Sequence, residues 1–76
     1  MRWEYPVRVL AADGRVDKIV GPGDALAFLL KGWNCHKGPS YKIARKSCQG
    51  ALRGHIGTAL SRSHFITACI EVGVLE

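Results

Sequence analysis

From Glu4 to Val20 apolar and polar positions alternate around a central Asp13-Gly14 pair. That alternation with an Asp-Gly step at its midpoint is the signature of a β-hairpin, because Gly accepts a positive φ without a Cβ clash. A two-residue turn predicts Ala11 opposite Val16, Val9 opposite Lys18 and Val7 opposite Val20. Tyr5, Val7, Val9, Ala11, Val16 and Val20 then share one face, and Arg8, Leu10, Asp17 and Ile19 share the other. Lys18 is out of place on the apolar face. Either it snorkels at the sheet edge, or a bulge shifts the register and brings Ile19 inward.

After Val20 the period becomes helical. Gly21-Pro22-Gly23-Asp24 opens a helix over 22–32, with Pro22 at the first position, where its missing N–H costs nothing, and Asp24 at the positive helix end. Ala25, Leu26, Phe28, Leu29 and Leu30 surround nearly the whole axis, which predicts a central, buried helix. Gly32 ends it, and Trp33–Lys37 form a loop. Gly38-Pro39 starts a second helix over 39–53 with Gly54 as its stop. At ~100° per residue, Tyr41, Ala44, Cys48, Ala51 and Leu52 make its core arc, and Lys42, Lys46, Gln49 and Arg53 a separate basic arc with Arg45 at the border. A third helix runs over 58–72 and stops at Gly73. Phe65, Ala68, Cys69 and Val72 form its core face. Ile66 and Ile70 extend the apolar surface beyond that arc, so the helix is either enclosed within the fold or meets another chain through those two residues. Val74-Leu75 can pack back over its end. Trp33, Phe28, Leu29, Leu52 and Phe65 are expected to be buried together. The order is ββααα: an α+β domain, with an N-terminal antiparallel hairpin followed by three helices packed on one face.

Length and composition narrow this further. The chain has 76 residues, 47% hydrophobic and 22% charged, an ordinary globular balance with room for a single domain over 1–76. A chain this short buries only ~60% of its unfolded surface, which disfavours a deep active site. Ala25–Leu30 is the longest strictly apolar run, against the ~20 residues of a spanning helix. Glu4 and Pro6 interrupt the stretch where an export signal would be apolar. A cytoplasmic protein with no membrane partner is the expectation. Cys35, Cys48 and Cys69 are an odd number, unsuited to a closed disulfide framework.

The formal net charge is +5, and it is unevenly placed. Between Asp24 and Glu71 there is no acid, while Lys31, Lys37, Lys42, Arg45, Lys46, Arg53 and Arg62 all fall in that stretch. An acid-free basic segment favours anionic partners, whether nucleic acid, an acidic protein surface or anionic lipid, although such a stripe also serves solubility alone. Lys42, Arg45, Lys46 and Arg53 are the candidate contacts, and Ile66 and Ile70 the candidate homodimer contacts.

Other chemistry is weakly supported. Cys35-His36 is the only adjacent Cys/His pair, and no third group orients it, so an ordinary loop is the better reading. His36, His55 and His64 with Cys48 or Cys69 lack metal-ligand spacing, and both cysteines sit on apolar helix faces as small hydrophobes. Gly50, Gly54 and Gly57 follow no strand and match no phosphate-binding fingerprint. The helices carry no carboxylate pair for acid–base work. Trp33 and Tyr41 could stack nucleic-acid bases, but their places beside apolar arcs suit core packing better. Gln49–Leu60 fits a helix-turn-helix template poorly, since its recognition helix is largely apolar. The reading is a non-enzymatic protein without a cofactor.

Several steps of this pattern recur together in a known family. They are Pro6-Val7, Ala25-x-x-x-Leu29-Leu30-x-x-Trp33, Gly38-Pro39-x-Tyr41-x-x-Ala44-x-x-x-Cys48-x-x-Ala51-Leu52-x-Gly54, Arg62-x-x-Phe65-Ile66-x-Ala68 and Glu71-x-Gly73. Over nearly its full length the chain resembles the small bacterial family called domain of unknown function 982. Asn34 and Ser61 depart from the Pro and Ala expected of that pattern. The resemblance implies the fold and a bacterial cytosolic setting, and it carries no activity, cofactor or site residue. The function expected is an interaction or adaptor module, with a nucleic-acid-binding or regulatory accessory protein as the alternative.

Overall fold

The computed structural model describes residues 2–76. Strands β1 (Val7–Leu10) and β2 (Val16–Ile19) pair antiparallel and are followed by helices α1 (Pro22–Ala27), α2 (Pro39–Leu52) and α3 (Thr58–Val72). The α+β order ββααα is the observed one.

The hairpin register differs from the two-residue turn. Val7 pairs with Ile19, Arg8 with Lys18, Val9 with Asp17 and Leu10 with Val16. The connection holds one more residue. The Gly14 N–H donates to the Ala11 carbonyl (3.0 Å), and the Ala11 N–H to the Arg15 carbonyl (2.8 Å). Gly14 has φ +87°, so the loop is a type I turn followed by a left-handed bulge residue, a position that favours Gly. Asp13 reinforces it by accepting the Arg15 backbone N–H (3.0 Å) and Nε (2.8 Å). These bonds, the backbone one first, hold its carboxyl below the usual range. A one-residue slip turns every β2 side chain over. Ile19 is therefore buried with Val7 and Val9, Val16 is exposed, Lys18 faces solvent and Asp17 is half-buried on the inner face. Tyr5, expected inside, is exposed.

The C-terminal tail adds to the sheet rather than only covering a helix end. The Leu10 N–H donates to the Val74 carbonyl (2.8 Å) and the Glu76 N–H to the Arg8 carbonyl (3.0 Å), which sets Leu75 opposite Val9. Arg8 and Glu76 also form an ion pair at 3.0 Å. β1 is thus central, and β2 is an edge.

α1 is shorter than the 22–32 span. Its path continues as a π-helical turn over Phe28–Gly32. The wider turn changes the faces: Ala25, Phe28 and Leu29 are buried, but Leu30 and Ala27 are exposed, so the apolar residues do not surround the axis as expected. A Cβ on residue 32 would lie 2.9 Å from the Phe28 ring, a contact that a side chain larger than Gly does not allow. α2 and α3 are joined by Ser40 Oγ to Glu71 Oε2 (2.7 Å) and Ser47 Oγ to His64 Nδ1 (2.8 Å). α3 ends at Gly73 with φ +74°, and the Val74 N–H reaches back to the Cys69 carbonyl (3.0 Å), a left-handed stop that aims the tail at β1.

The core contains a continuous run of five rings. Trp3 and Phe65 centroids lie 5.7 Å apart, Phe65 and Phe28 6.1 Å, Phe28 and Trp33 5.9 Å, and Trp33 and Tyr41 5.3 Å. Trp3, which precedes the first periodic segment, is buried and donates from Nε1 to Ser61 Oγ (3.2 Å). Leu52 corrects an expectation: it is 44% exposed, outside the group formed by Trp33, Phe28, Leu29 and Phe65. Ile66 turns inward and packs on the core rim, whereas Ile70 is 61% exposed. Trp3→Ala is expected to cost about 3–5 kcal/mol, the range for a buried aromatic, and Leu52→Ala less than about 1 kcal/mol. Urea unfolding followed by far-UV circular dichroism checks this, and the reverse order would contradict the packing.

Candidate functional site

α2 carries no acidic residue. Its buried face is Tyr41, Ala44, Ser47, Cys48 and Ala51. The ~100° helical step turns Lys42, Lys46, Gln49 and Arg53 to the opposite side. Lys42, Arg45, Lys46 and Arg53 are all exposed, as the basic arc predicts. The structure brings Lys42, Arg45, Lys46 and Gln49 together around one shallow concavity. Arg53 caps the helix end and does not line it.

Among the described residues the ion pairs are Arg8 with Glu76 and Arg15 with Asp13, so none of Lys42, Arg45, Lys46 and Arg53 is neutralised by a carboxylate. Lys37 is engaged elsewhere, 5.6 Å above the Tyr41 ring. Two exposed aliphatics border the basic arc: Ile43 (51%) on one side and Leu52 on the other. Sequence reasoning missed both borders. Ile43 is a lone apolar residue among polar positions of the helix, and the 100° period places Leu52 on the core arc.

The aromatics do not join this face. Trp33 is buried with Nε1 donating to the His36 carbonyl (3.1 Å), and the Tyr41 hydroxyl donates to the Leu29 carbonyl (2.7 Å). Both are core residues, the better-supported of the two readings. Ile66 and Ile70 are not brought into one free strip, because Ile66 belongs to the core rim. Two adjoining concavities, which the sequence did not reveal, lie between β2 and the π-helical turn and share Asp17, Phe28, Lys31 and Gly32.

The thiols are unsuited to nucleophilic work at neutral pH where they are buried. Desolvation pushes Cys48 up to about 11 and Cys69 up to about 12, the latter with help from the Cys35 and Cys48 thiols nearby. A thiol without thiolate character is a poor nucleophile and a poor metal ligand. Among the described residues no three His, Cys, Asp or Glu side chains are arranged to hold a metal ion, and no helix is long and apolar enough to cross a membrane.

A family model described as a protein of unknown function, DUF982, matches residues 5–75. No curated protein and no solved structure matches the chain.

The raised thiol values set a reactivity order. With native protein at pH 8, Ellman's reagent is expected to titrate the half-buried Cys35 first, with Cys48 and Cys69 released only by denaturant. The sign for stability follows. These groups keep their protons longer when folded, so the contribution is complete below the ordinary thiol value and is lost as pH rises from about 9 through 11–12. Three thiols reacting at one fast rate would contradict both statements.

Proposed function

The chain belongs to the DUF982 family, and we propose that this member is a non-enzymatic, cytoplasmic interaction module that docks an acidic protein surface through the outer face of α2. The observation that supports this reading is the composition of that face. Four exposed cations have no carboxylate partner among the described residues, and an exposed aliphatic stands on each border. Unpaired charge steers an anionic partner and raises its association rate. Aliphatic borders supply the apolar burial that a protein partner can match.

Nucleic acid is the second reading, carried by the same cations. It would use phosphate contacts, which position without specifying. The burial of Trp33 and Tyr41 removes the rings on which single-stranded bases would stack. Ile43 and Leu52 would have no counterpart on a phosphate backbone.

The test compares a Glu/Leu-rich amphipathic peptide with labelled duplex and single-stranded DNA, by fluorescence anisotropy at low salt. The peptide is expected to bind. Lys42→Glu, Lys46→Glu, Arg53→Glu together should abolish binding, and Ile43→Ser should weaken it with little change in salt dependence. DNA affinity is expected to be weaker than ~0.1 mM, below ordinary non-specific binding. Tighter DNA binding with a log–log salt slope of about −0.9 per phosphate would favour the second reading. A triple variant that binds the peptide as well as wild type would remove this face from either role.

A further inference from the structure

β1 lies between β2 and the C-terminal tail, so one edge of the sheet is closed and β2 forms the other. The ladder tells which β2 groups point away. Ala11 and Arg15 exchange a backbone bond across the hairpin. By antiparallel alternation Val9–Asp17 and Val7–Ile19 are then the hydrogen-bonded pairs. The N–H and carbonyl groups of Val16 and Lys18 therefore face outward. The tail bonds confirm the parity on the far side, where Arg8 and Leu10 supply the groups that Val74 and Glu76 use. At Val20 the edge is already occupied: its N–H donates to Asp24 Oδ2 (3.3 Å), and its carbonyl accepts the Trp3 N–H (2.7 Å). The open backbone is the stretch Val16–Lys18, which has no other backbone partner among the described residues.

A free edge alone is common, and charged residues usually guard it. Here a groove runs beside it. Two adjoining concavities lie between β2 and the α1–π-turn segment, and both are lined by Asp17, Phe28, Lys31 and Gly32. Strand-addition sites have this form, with an open edge for main-chain bonds and an adjacent pocket for alternate side chains.

We infer that the Val16–Lys18 edge and the groove floored by Phe28 accept an extended segment of another protein as an added antiparallel strand, with a basic side chain opposite Asp17.

The charges select the occupant. Asp17 is half-buried on the inner face and has no ion-pair partner among the described residues. Asp24 and the exposed Lys31 line the same groove and Lys18 borders it from the strand, so the lining balances overall and Asp17 is the half-buried charge within it. Lys18 projects from the opposite face of the strand. An antiparallel segment thus places an acid opposite Lys18, a base opposite Asp17 and an aliphatic residue opposite Val16, in that chain order. The stem of the basic residue would lie along Phe28 while its ammonium reaches Asp17. A second copy of β2 is a poor occupant. In the two symmetric registers centred on the strand, Asp17 would face Asp17 or Lys18 would face Lys18, and like charges directly opposite are destabilising. This site is separate from the α2 face and does not depend on the function proposed for it.

The probe is the peptide Thr-Glu-Lys-Val-Thr, acetylated and amidated, titrated into the full chain labelled with nitrogen-15. Saturable shifts are expected at Val16–Ile19 and Phe28–Gly32. In the added strand the Glu and Val amides bond to β2, and the Lys amide faces away. N-methylation at Val should weaken binding at least about tenfold, whereas N-methylation at Lys should leave it nearly unchanged. Lys18→Pro should lose binding with the β1 ladder intact, because that N–H points outward and proline is tolerated at such an edge position. Asp17→Lys should reverse the preference, favouring a peptide with Glu in place of its Lys. If Lys18→Pro fails to fold, the two methylated peptides still decide. Absence of saturable shifts with millimolar parent peptide, equal effects of the two methylations, or shifts confined to α2 would overturn the inference.

Discussion

The row of rings from Trp3 through Phe65, Phe28 and Trp33 to Tyr41 is the constraint on which the fold depends. Its members come from the N-terminal segment, α3, the π-helical turn, the loop that follows it, and α2. Five of the six aromatic side chains of the protein are spent on it, and only Tyr5 remains outside. The edge-on contacts of Phe28 with Trp33 and Phe65 match the ring quadrupoles. The three rings with polar atoms have each found a partner: Trp3 on Ser61, Trp33 on the His36 carbonyl and Tyr41 on the Leu29 carbonyl. A small core gains from such rings because each buries a large area with few rotatable bonds.

The π-helical turn follows from the same constraint. Phe28 must meet Phe65 on one side and Trp33 on the other, and Gly32 leaves the space into which its ring lies. Such a turn leaves end carbonyls without intrahelical donors, and a buried unpaired carbonyl is costly. The Tyr41 hydroxyl satisfies that of Leu29. One bond thus stabilises an irregular helix and fixes α2 against it. The register of α2 then decides which side chains reach solvent, so the ring row also orients the basic face.

Much of this order was legible in local chemistry. Asp13-Gly14 marked the hairpin, Pro22 and Pro39 marked helix starts, and Gly54 and Gly73 marked helix ends. The basic arc of α2 was legible because an uninterrupted α-helix keeps its 100° step. Other features depended on distant contacts. The hairpin loop length decides whether Val16 or Ile19 faces the core, and Asp-Gly occurs in both loop types. The exposure of Leu30 follows from the π turn, which breaks the period used to place it. Leu52 lies at the limit of its arc, and only the position of the neighbouring elements decides its burial. Trp3 had no periodic context, since its place depends on Ser61 and Phe65 far along the chain. The β2 edge was illegible for a similar reason: the tail pairs with β1 and leaves β2 uncovered.

The outer face of α2 is electrostatically opposed to its own helix. Lys42 repels Lys46 at i+4 and Arg45 at i+3, each pair costing about 0.2–0.5 kcal/mol. Lys42 also stands in the first turn, where the helix dipole disfavours a cation. Gly50 adds roughly 1 kcal/mol against Ala within a helix, and the reason is local: a Cβ there would lie 2.7 Å from Ile56 Cδ1. The helix is held instead by what lies outside its own surface. Glu71 of α3 reaches the N-terminal turn through Ser40, placing there the anion that α2 lacks, and His64 holds Ser47 two turns further along the same helical face. The buried side, with Tyr41, Ala44, Cys48 and Ala51, supplies the packing that outweighs the exterior. Because stability resides on the inner face, the basic face is free of a structural role. Neutralising one member of each like-charged pair would relieve this repulsion in the isolated chain, as would the anionic partner proposed for this face.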